Sequence, residues 1–311
     1  MRVTHGLTAP AGKRLALTIG NFDGVHRGHQ AMLARTVARA RELRLDACAL
    51  TFEPHPREFF TPATAPARLT RLRDKLELMA AAGLDRVHVA RFDARLASLP
   101  AERFVDTYVA HGLRTAWLLV GRDFRFGARR GGDFALLGEL AGRHGFELEA
   151  MPEVALHGER VSSSAVRAAL AAGDLAAAER LLGRPYAMSG RIAHGEKLGR
   201  ELGFPTANIA LPQRAPLAGI FVVECLIEGE APWRPGVASV GRRPTVNPTA
   251  APLLEVHLLD YAADLYRRHL QVRFLTKLRD EQKYDDVPAL RAAIAGDAAR
   301  ARSYFAMKTN A

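Results

Sequence analysis

Short apolar runs alternate with segments of helical periodicity through the first half of the chain. Residues 15–19, 47–52, 87–90 and 117–120 read as strands, and residues 28–43, 72–82 and 104–111 read as helices. That alternation predicts a parallel sheet with helices on both faces, whose ligands bind beyond the carboxyl ends of the strands. Two shorter helices follow at 165–171 and 175–182, parted by Gly173-Asp174. After Gly183 the period changes. Six β-like runs, at 186–193, 206–210, 219–227, 236–240, 253–259 and 270–276, are separated by Gly and Pro turns, which predicts a small antiparallel barrel. Helical segments between Val287 and Met307 close the chain. A length of 311 residues is more than one core usually serves, and the change of period divides it into domains at 1–183 and 184–311.

Composition narrows the class. Hydrophobic residues make up 48% and charged residues 25%, both ordinary for a globular chain. The formal charge of +11 comes almost wholly from Arg, with only six Lys, and it is scattered. A scattered excess suits anionic small substrates as well as it suits non-specific nucleic-acid contact. The latter would need a contiguous basic patch interleaved with aromatics, and no such run occurs, so no nucleic-acid partner is expected. Cys48 and Cys225 lie far apart and offer neither a CxxC pair nor a disulfide framework, which fits a reducing cytoplasm. No stretch approaches the length of a membrane span, and the start lacks an apolar signal core, so neither export nor a membrane partner is expected. A homo-oligomer stays open.

Candidate chemistry lies at the ends of the expected strands. The first strand leads into Gly20-Asn21-Phe22-Asp23-Gly24-Val25-His26-Arg27-Gly28-His29. Glycines let a backbone turn tightly around a ligand, and the helix that follows offers unpaired N–H groups and the positive end of its dipole to a phosphate. His26 and His29 can face the same way and donate hydrogen bonds without a fixed charge. Taken alone, a βα turn with two incidental His is as good a reading. Three further motifs stand in corresponding places: Thr51-Phe52-Glu53-Pro54-His55-Pro56, Val120-Gly121-Arg122-Asp123-Phe124-Arg125-Phe126-Gly127, and Val161-Ser162-Ser163-Ser164-Ala165-Val166-Arg167. A serine run is most often a plain N-cap, yet Arg167 in the first helical turn opposes the dipole unless an anion is present. Phe124 and Phe126 suit a core as well as a ligand, whereas Asp123 between two Arg fits a sugar or base better than a lone buried charge. Four such motifs are what one cleft would require.

In the second half, residues 190–208 read GRIAHGEKLGRELGFPTAN, with Gly195, Gly199 and Gly203 at four-residue spacing around Lys197 and Arg200. A basic Gly loop of this kind can wrap phosphates, and it can equally be a simple hairpin. Thr206 and Asn208, two apart in an extended strand, share a face, and their oxygens are the hard donors that Mg²⁺ prefers. In Leu254-Glu255-Val256-His257-Leu258 the alternation puts Glu255 and His257 together, either on the solvated outside or in a pocket.

These motifs, in this order, resemble the bacterial bifunctional riboflavin kinase/FMN adenylyltransferase (FAD synthetase) family over essentially the whole chain. The first half is similar to the FMN adenylyltransferase module, an HxGH nucleotidylyltransferase with a Rossmann-like parallel sheet. The resemblance implies that His26 and His29 act catalytically on the ATP phosphates and that Gly20, Phe22, Asp23, Gly24, Asp123, Ser163, Ser164 and Arg167 also bind ATP. It implies further that Asn21, His55, Pro56 and Arg125 bind FMN. Ser164 stands for the family's usual Thr and keeps the hydroxyl.

The second half is similar to the riboflavin kinase module, a six-stranded barrel, through GFPTAN at 203–208, GVASVGRRPT at 236–245, Glu255, Asp264-Leu265-Tyr266 and Leu278-Arg279-Asp280-Glu281. There the resemblance implies ATP binding by Gly195, Lys197, Gly199, Arg200, Thr206 and Asn208, with Mg²⁺ held by Thr206 and Asn208. It makes Arg279 and Glu281 flavin-binding residues and Glu255 the general base. Arg267 departs from the family's Gly, and Asp280 and Tyr284 from its Pro and Phe. The implied reactions are phosphorylation of riboflavin by ATP to FMN and adenylylation of FMN to FAD with release of pyrophosphate. A transferase for some other phosphate would keep the HxGH half but has no reason to carry the PTAN barrel.

Overall fold

All five residues of Leu15–Ile19 are buried, as a strand covered on both faces requires. In the computed structural model this strand, β2, lies inside a six-stranded parallel sheet. The structure describes every residue except 7–12, 157, 195–202, 212–213, 242–251, 262, 264 and 310–311. With β1 (Arg2–His5), β3 (Asp46–Glu53), β4 (Arg86–Arg91), β5 (Thr115–Gly121) and β6 (Glu147–Met151), the strand order is β1-β4-β3-β2-β5-β6. Alternate side chains leave opposite faces. Leu15, Leu17 and Ile19 join Leu50, Leu118 and Val120 beneath α4 (Ala94–Ala97), α5 (Ala101–Phe104), the π-helical turn Val105–Gly112 and α6 (Phe134–His144). Ala16, Ala47, Ala49, Trp117 and Leu119 face α1 (Arg27–Glu42) and α3 (Leu72–Ala81). Because β2 pairs with both β3 and β5, the loops leaving these three strands are neighbours at one end of the sheet, where open α/β sheets bind ligands.

The chain divides into two compact units, Met1–Pro66 with Leu72–Ser162, and Ala67–Arg71 with Ser163–Ala311. The first also contains the short helix α2 (Pro56–Phe60) and a two-stranded ribbon of β7 (Ala155–Leu156) and β8 (Glu159–Arg160). The second is built on β9 (Ala187–Arg191), β10 (Ala207–Ala210), β11 (Gly219–Ile227), β12 (Arg234–Gly241), β13 (Leu253–Leu258) and β14 (His269–Arg279), antiparallel throughout in the order β10-β13-β12-β11-β14-β9. The Ala193 N–H donates to the Asn208 carbonyl at 2.8 Å, which bridges the two edges and nearly closes the barrel. Phe221, Val223, Val240, Leu254, Val256 and Phe274 fill its interior, with Val166, Leu170 and Leu182 of α7 (Ser163–Ala171) and α8 (Leu175–Leu182) packed on the same core. The closing segments form one helix, α9 (Val287–Thr309), whose Ala298 and Ala301 cover Val222 on the outer face. Cys48 and Cys225 are both buried free thiols, and burial pushes Cys48 up to about 12. No helix among the described residues is long and apolar enough to cross a membrane.

Candidate active sites

The loop leaving β2 holds a backbone that most residues avoid. Phe22 (φ 50°), Gly24 (φ 84°) and Val25 (φ 40°) all have positive φ, and for a β-branched residue such a value persists only where the surroundings enforce it. The enforcement is visible. The Phe22 ring is fully buried, Gln30 Nε2 donates to the Val25 carbonyl at 2.9 Å, and Thr51 Oγ1 on β3 donates to the Asn21 carbonyl at 3.2 Å. Buried Lys75 on α3 donates to that same hydroxyl at 3.4 Å.

The loop delivers His26 as the N-cap of α1, with Nδ1 accepting from the His29 backbone N–H at 3.3 Å. The His26 and His29 rings stack with centroids 3.7 Å apart, so the expectation that they face the same way holds. Gly28 makes room for this, because a Cβ there would lie 3.2 Å from the His26 ring. Burial first, then the neighbouring His26 and Lys75, holds His29 well below the usual imidazole range and keeps it neutral. The first turn of α1 carries no acidic residue, so an anion there meets the positive end of the dipole and neutral imidazole donors. Asp23 is buried beside them. Asn21 Oδ1 and His29 Nδ1 are buried and lack a hydrogen-bond partner among the described residues.

The loops after β3 and β5 bring up the other motifs of this unit. His55 caps α2, its Nδ1 accepting from the Arg57 N–H at 3.1 Å while Glu58 accepts from its own N–H at 3.2 Å, with Pro56 as the first helical residue. Phe59 and Phe60 of α2 meet Phe92 edge-on, both at 5.6 Å, and Phe60 is 60% exposed. These rings were not among the sequence candidates, although a pair of Phe two residues after the His-Pro motif was a usable signal. Asp123 is not a buried charge: it is exposed and bound to Arg160 at 2.5 Å, which holds its carboxyl below the ordinary range. Arg125 pairs with Asp133 at 3.0 Å. Phe126 is buried and Phe124 packs against the same core, so of the two readings the core one fits both.

Ser163, Ser164 and Arg167 open α7, which belongs to the second unit. Arg167 Nε donates to the Ala67 carbonyl at 2.6 Å. The first turn of α7 carries no acidic residue.

On the barrel, register sets the candidate kinase residues together. Leu254, Val256 and Leu258 point inward, so Glu255 and His257 occupy the outer face. Glu255 stands opposite Asn208 of β10 on one side and Ser239 of β12 on the other. Ser239 Oγ donates to Glu281 at 3.3 Å, which brings the segment after β14 to the same patch. Burial raises the Glu281 carboxyl above the usual range; the Ser239 hydroxyl works against this and nearby Glu255 adds to it. The Glu281 carboxylate lies against the backbone of Gly241, in the space a Cβ would take there. Thr206 directly precedes β10, and its neighbour Pro205 accepts from His257 Nδ1 at 2.9 Å.

Asn208 is only 7% exposed, and its Oδ1 has no hydrogen-bond partner among the described residues. A buried orphan acceptor facing a carboxylate is a donor set that fits Mg²⁺. Arg279 is engaged by Asp297 of α9, with Nη2 to Oδ2 at 2.7 Å, and that pair anchors the end of β14 from which Glu281 projects. The expected phosphate loop of Gly195, Lys197, Gly199 and Arg200 lies outside the described residues.

Comparison with known proteins matches both halves. The FAD synthetase family model matches residues 9–165, and the riboflavin kinase model matches residues 182–305. The chain is 50% identical to the bifunctional riboflavin kinase/FMN adenylyltransferase of Pseudomonas fluorescens, over 98% of each chain. It is 47% identical to the protein of that description from Escherichia coli K12, over 99% of this chain and 98% of the other. Among solved structures it is similar to one from Streptococcus pneumoniae described as a macrolide-efflux protein, with a TM-score of 0.80 and 25% identity, covering 97% of this chain and 99% of that one.

Proposed function

Because the chain belongs to the bifunctional riboflavin kinase/FMN adenylyltransferase family, we infer that it phosphorylates riboflavin in its C-terminal half and adenylylates the resulting FMN in its N-terminal half. The observation that carries the residue-level reading is the register that sets Glu255 opposite Asn208. In this reading residues 1–183 form the adenylyltransferase module and residues 184–311 the kinase module, in keeping with a FAD synthetase match that ends at 165 and a riboflavin kinase match that begins at 182.

The kinase needs a base, because an alcohol must lose its proton as its oxygen attacks the γ-phosphorus and ADP departs. Glu255 takes that proton from the ribityl 5′-hydroxyl. Thr206 and Asn208 would hold Mg²⁺, which when bound neutralises charge building on the phosphates. Glu281, kept at the patch by Ser239 and by the Arg279–Asp297 pair, contacts the flavin side.

The adenylyltransferase needs no protein base. The FMN phosphate is already largely dianionic near neutral pH; its oxygen attacks the α-phosphorus of ATP and the bond to pyrophosphate breaks. The remaining task is to align two anions and stabilise the leaving charge. His26, neutral His29 and the N-terminus of α1 suit it, with Gly20, Phe22, Asp23, Gly24 and Asp123 on ATP. Asn21, His55, Pro56 and Arg125 are assigned to FMN, and exposed Phe60 offers a surface for the isoalloxazine. The reading puts both reactions in the cytoplasm, since Cys48 and Cys225 are free thiols of the kind a reducing compartment keeps.

The test is Glu255→Gln, which preserves shape and removes the base. Riboflavin phosphorylation is expected to fall by roughly 10²–10⁴-fold while adenylylation of supplied FMN is unchanged. Full kinase activity in this variant would remove Glu255 from the role.

A further inference from the structure

The amino-terminal ends of β5 and β6 carry a side-chain cluster that neither reaction uses. Asp106 and His111 lie in the π-helical turn before β5, and His144 is the last residue of α6, before β6. In a parallel sheet this is the end opposite to the one that the 20–29 loop leaves. The π winding joins the first two residues. Leu113 N–H donates to the Tyr108 carbonyl, five residues back, at 2.9 Å. In such an i→i+5 turn residues five apart lie on one side of the helix, whereas an α-helix would set them about 140° apart. His111 Nδ1 accordingly lies 3.0 Å from Asp106 Oδ1 and 2.9 Å from the Asp106 carbonyl. The His144 ring stands edge-on to that of His111, centroids 5.8 Å apart. One donor atom from each residue lies within 4.8 Å of the other two. Arg103 binds the remaining carboxylate oxygen of Asp106 at 3.1 Å, which orients the carboxylate with Oδ1 toward the imidazoles.

We propose that Asp106, His111 and His144 form a binding site for a divalent transition cation, Zn²⁺ in the first instance. Two imidazoles and one carboxylate are a zinc donor set, whereas Mg²⁺ would demand oxygens. Ligand atoms about 2.1 Å from one tetrahedral ion lie about 3.4 Å apart, so the Asp106–His111 pair at 3.0 Å is already at ligand spacing, and a His144 donor atom lies within 4.8 Å of a donor atom of each. The cation takes the place of the hydrogen between His111 Nδ1 and Asp106 Oδ1, and the ring proton then sits on Nε2. His111, with 73% of its side chain exposed, leaves the fourth position to water. The bound ion ties the π-helical turn to the carboxyl end of α6.

The test is calorimetric titration of ZnCl₂ into the full chain after removal of metal with EDTA. One equivalent is expected to bind, with about tenfold or greater weakening in each of His111→Ala, His144→Ala and Asp106→Asn. Riboflavin and FMN turnover are expected to be unchanged in all three. His29→Ala, which removes the other His pair, is expected to keep the equivalent. Absorption of bound Co²⁺ in the visible should be lost with either cluster His. No uptake by the wild type at micromolar Zn²⁺, or equal uptake by the wild type and the cluster variants, would overturn the site; should one variant lose its fold by circular dichroism, the other two decide.

Discussion

Arg267 sits in the left-handed region at φ 67°, with its N–H donating to the Ile192 carbonyl at 3.0 Å. This is the position where the chain departs from the Gly that the resemblance leads one to expect, and the backbone explains why Gly is used there: a Cβ in that region costs roughly 1–2 kcal/mol. Arg267→Gly is expected to raise stability by about 0.5–1 kcal/mol, the added freedom of Gly in the unfolded chain offsetting part of the gain. The urea midpoint measures it.

His29 gives a pH dependence of known sign. Its imidazole binds a proton in the unfolded chain below about 6.5 but resists it when folded. Its contribution is therefore complete above that value and is lost as the pH falls toward the lowered folded value, by at most about 1.4 kcal/mol per pH unit. His88, also held low by burial, adds to the wild-type slope, so the quantity to compare is wild type against His29→Gln between neutral and mildly acidic pH. The variant should show the shallower decline. The stacked pair of His26 and His29 was legible because helical spacing alone puts residues three apart on one side. The positive φ of Phe22 and Val25 was not, because neither residue type prefers it and long-range contacts from Gln30 and Thr51 impose it.

At the scale of elements, strands with a covered face announced themselves and the edges of the parallel sheet did not. All six barrel strands were legible from alternation. In the parallel sheet β1 is mostly exposed, and β6, though half-buried at most positions, has no apolar run, so both edge strands escaped the pattern. The helical period also cannot say which core a helix covers: the change of pattern falls after Gly183, whereas α7 and α8 pack on the barrel core and the second compact unit takes up at Ser163. The juxtaposition of Ser239, Glu255 and Glu281 depended on strand order, which no local pattern encodes. The middle of α9 is tied to the end of β14 through Asp297, 2% exposed and bound by Arg279. Asp297→Ala removes the carboxylate shared by Arg279 and Arg300 and is expected to cost about 2 kcal/mol, the worth of hydrogen bonds to charged groups. Thermal unfolding of the barrel, with loss of kinase before adenylyltransferase activity on warming, would register the effect.

For the whole molecule the central claim is a division of labour: the half that matches FAD synthetase and the half that matches riboflavin kinase run two successive transfers from ATP. The most direct measurement follows riboflavin, FMN and FAD by chromatography after incubation with riboflavin, ATP and Mg²⁺, for the wild type, His29→Ala and Asn208→Ala. The wild type should make FAD; His29→Ala should stop at FMN; Asn208→Ala should leave riboflavin untouched yet convert supplied FMN to FAD. Loss of both steps through either single change, in a protein that is still folded, would contradict the account.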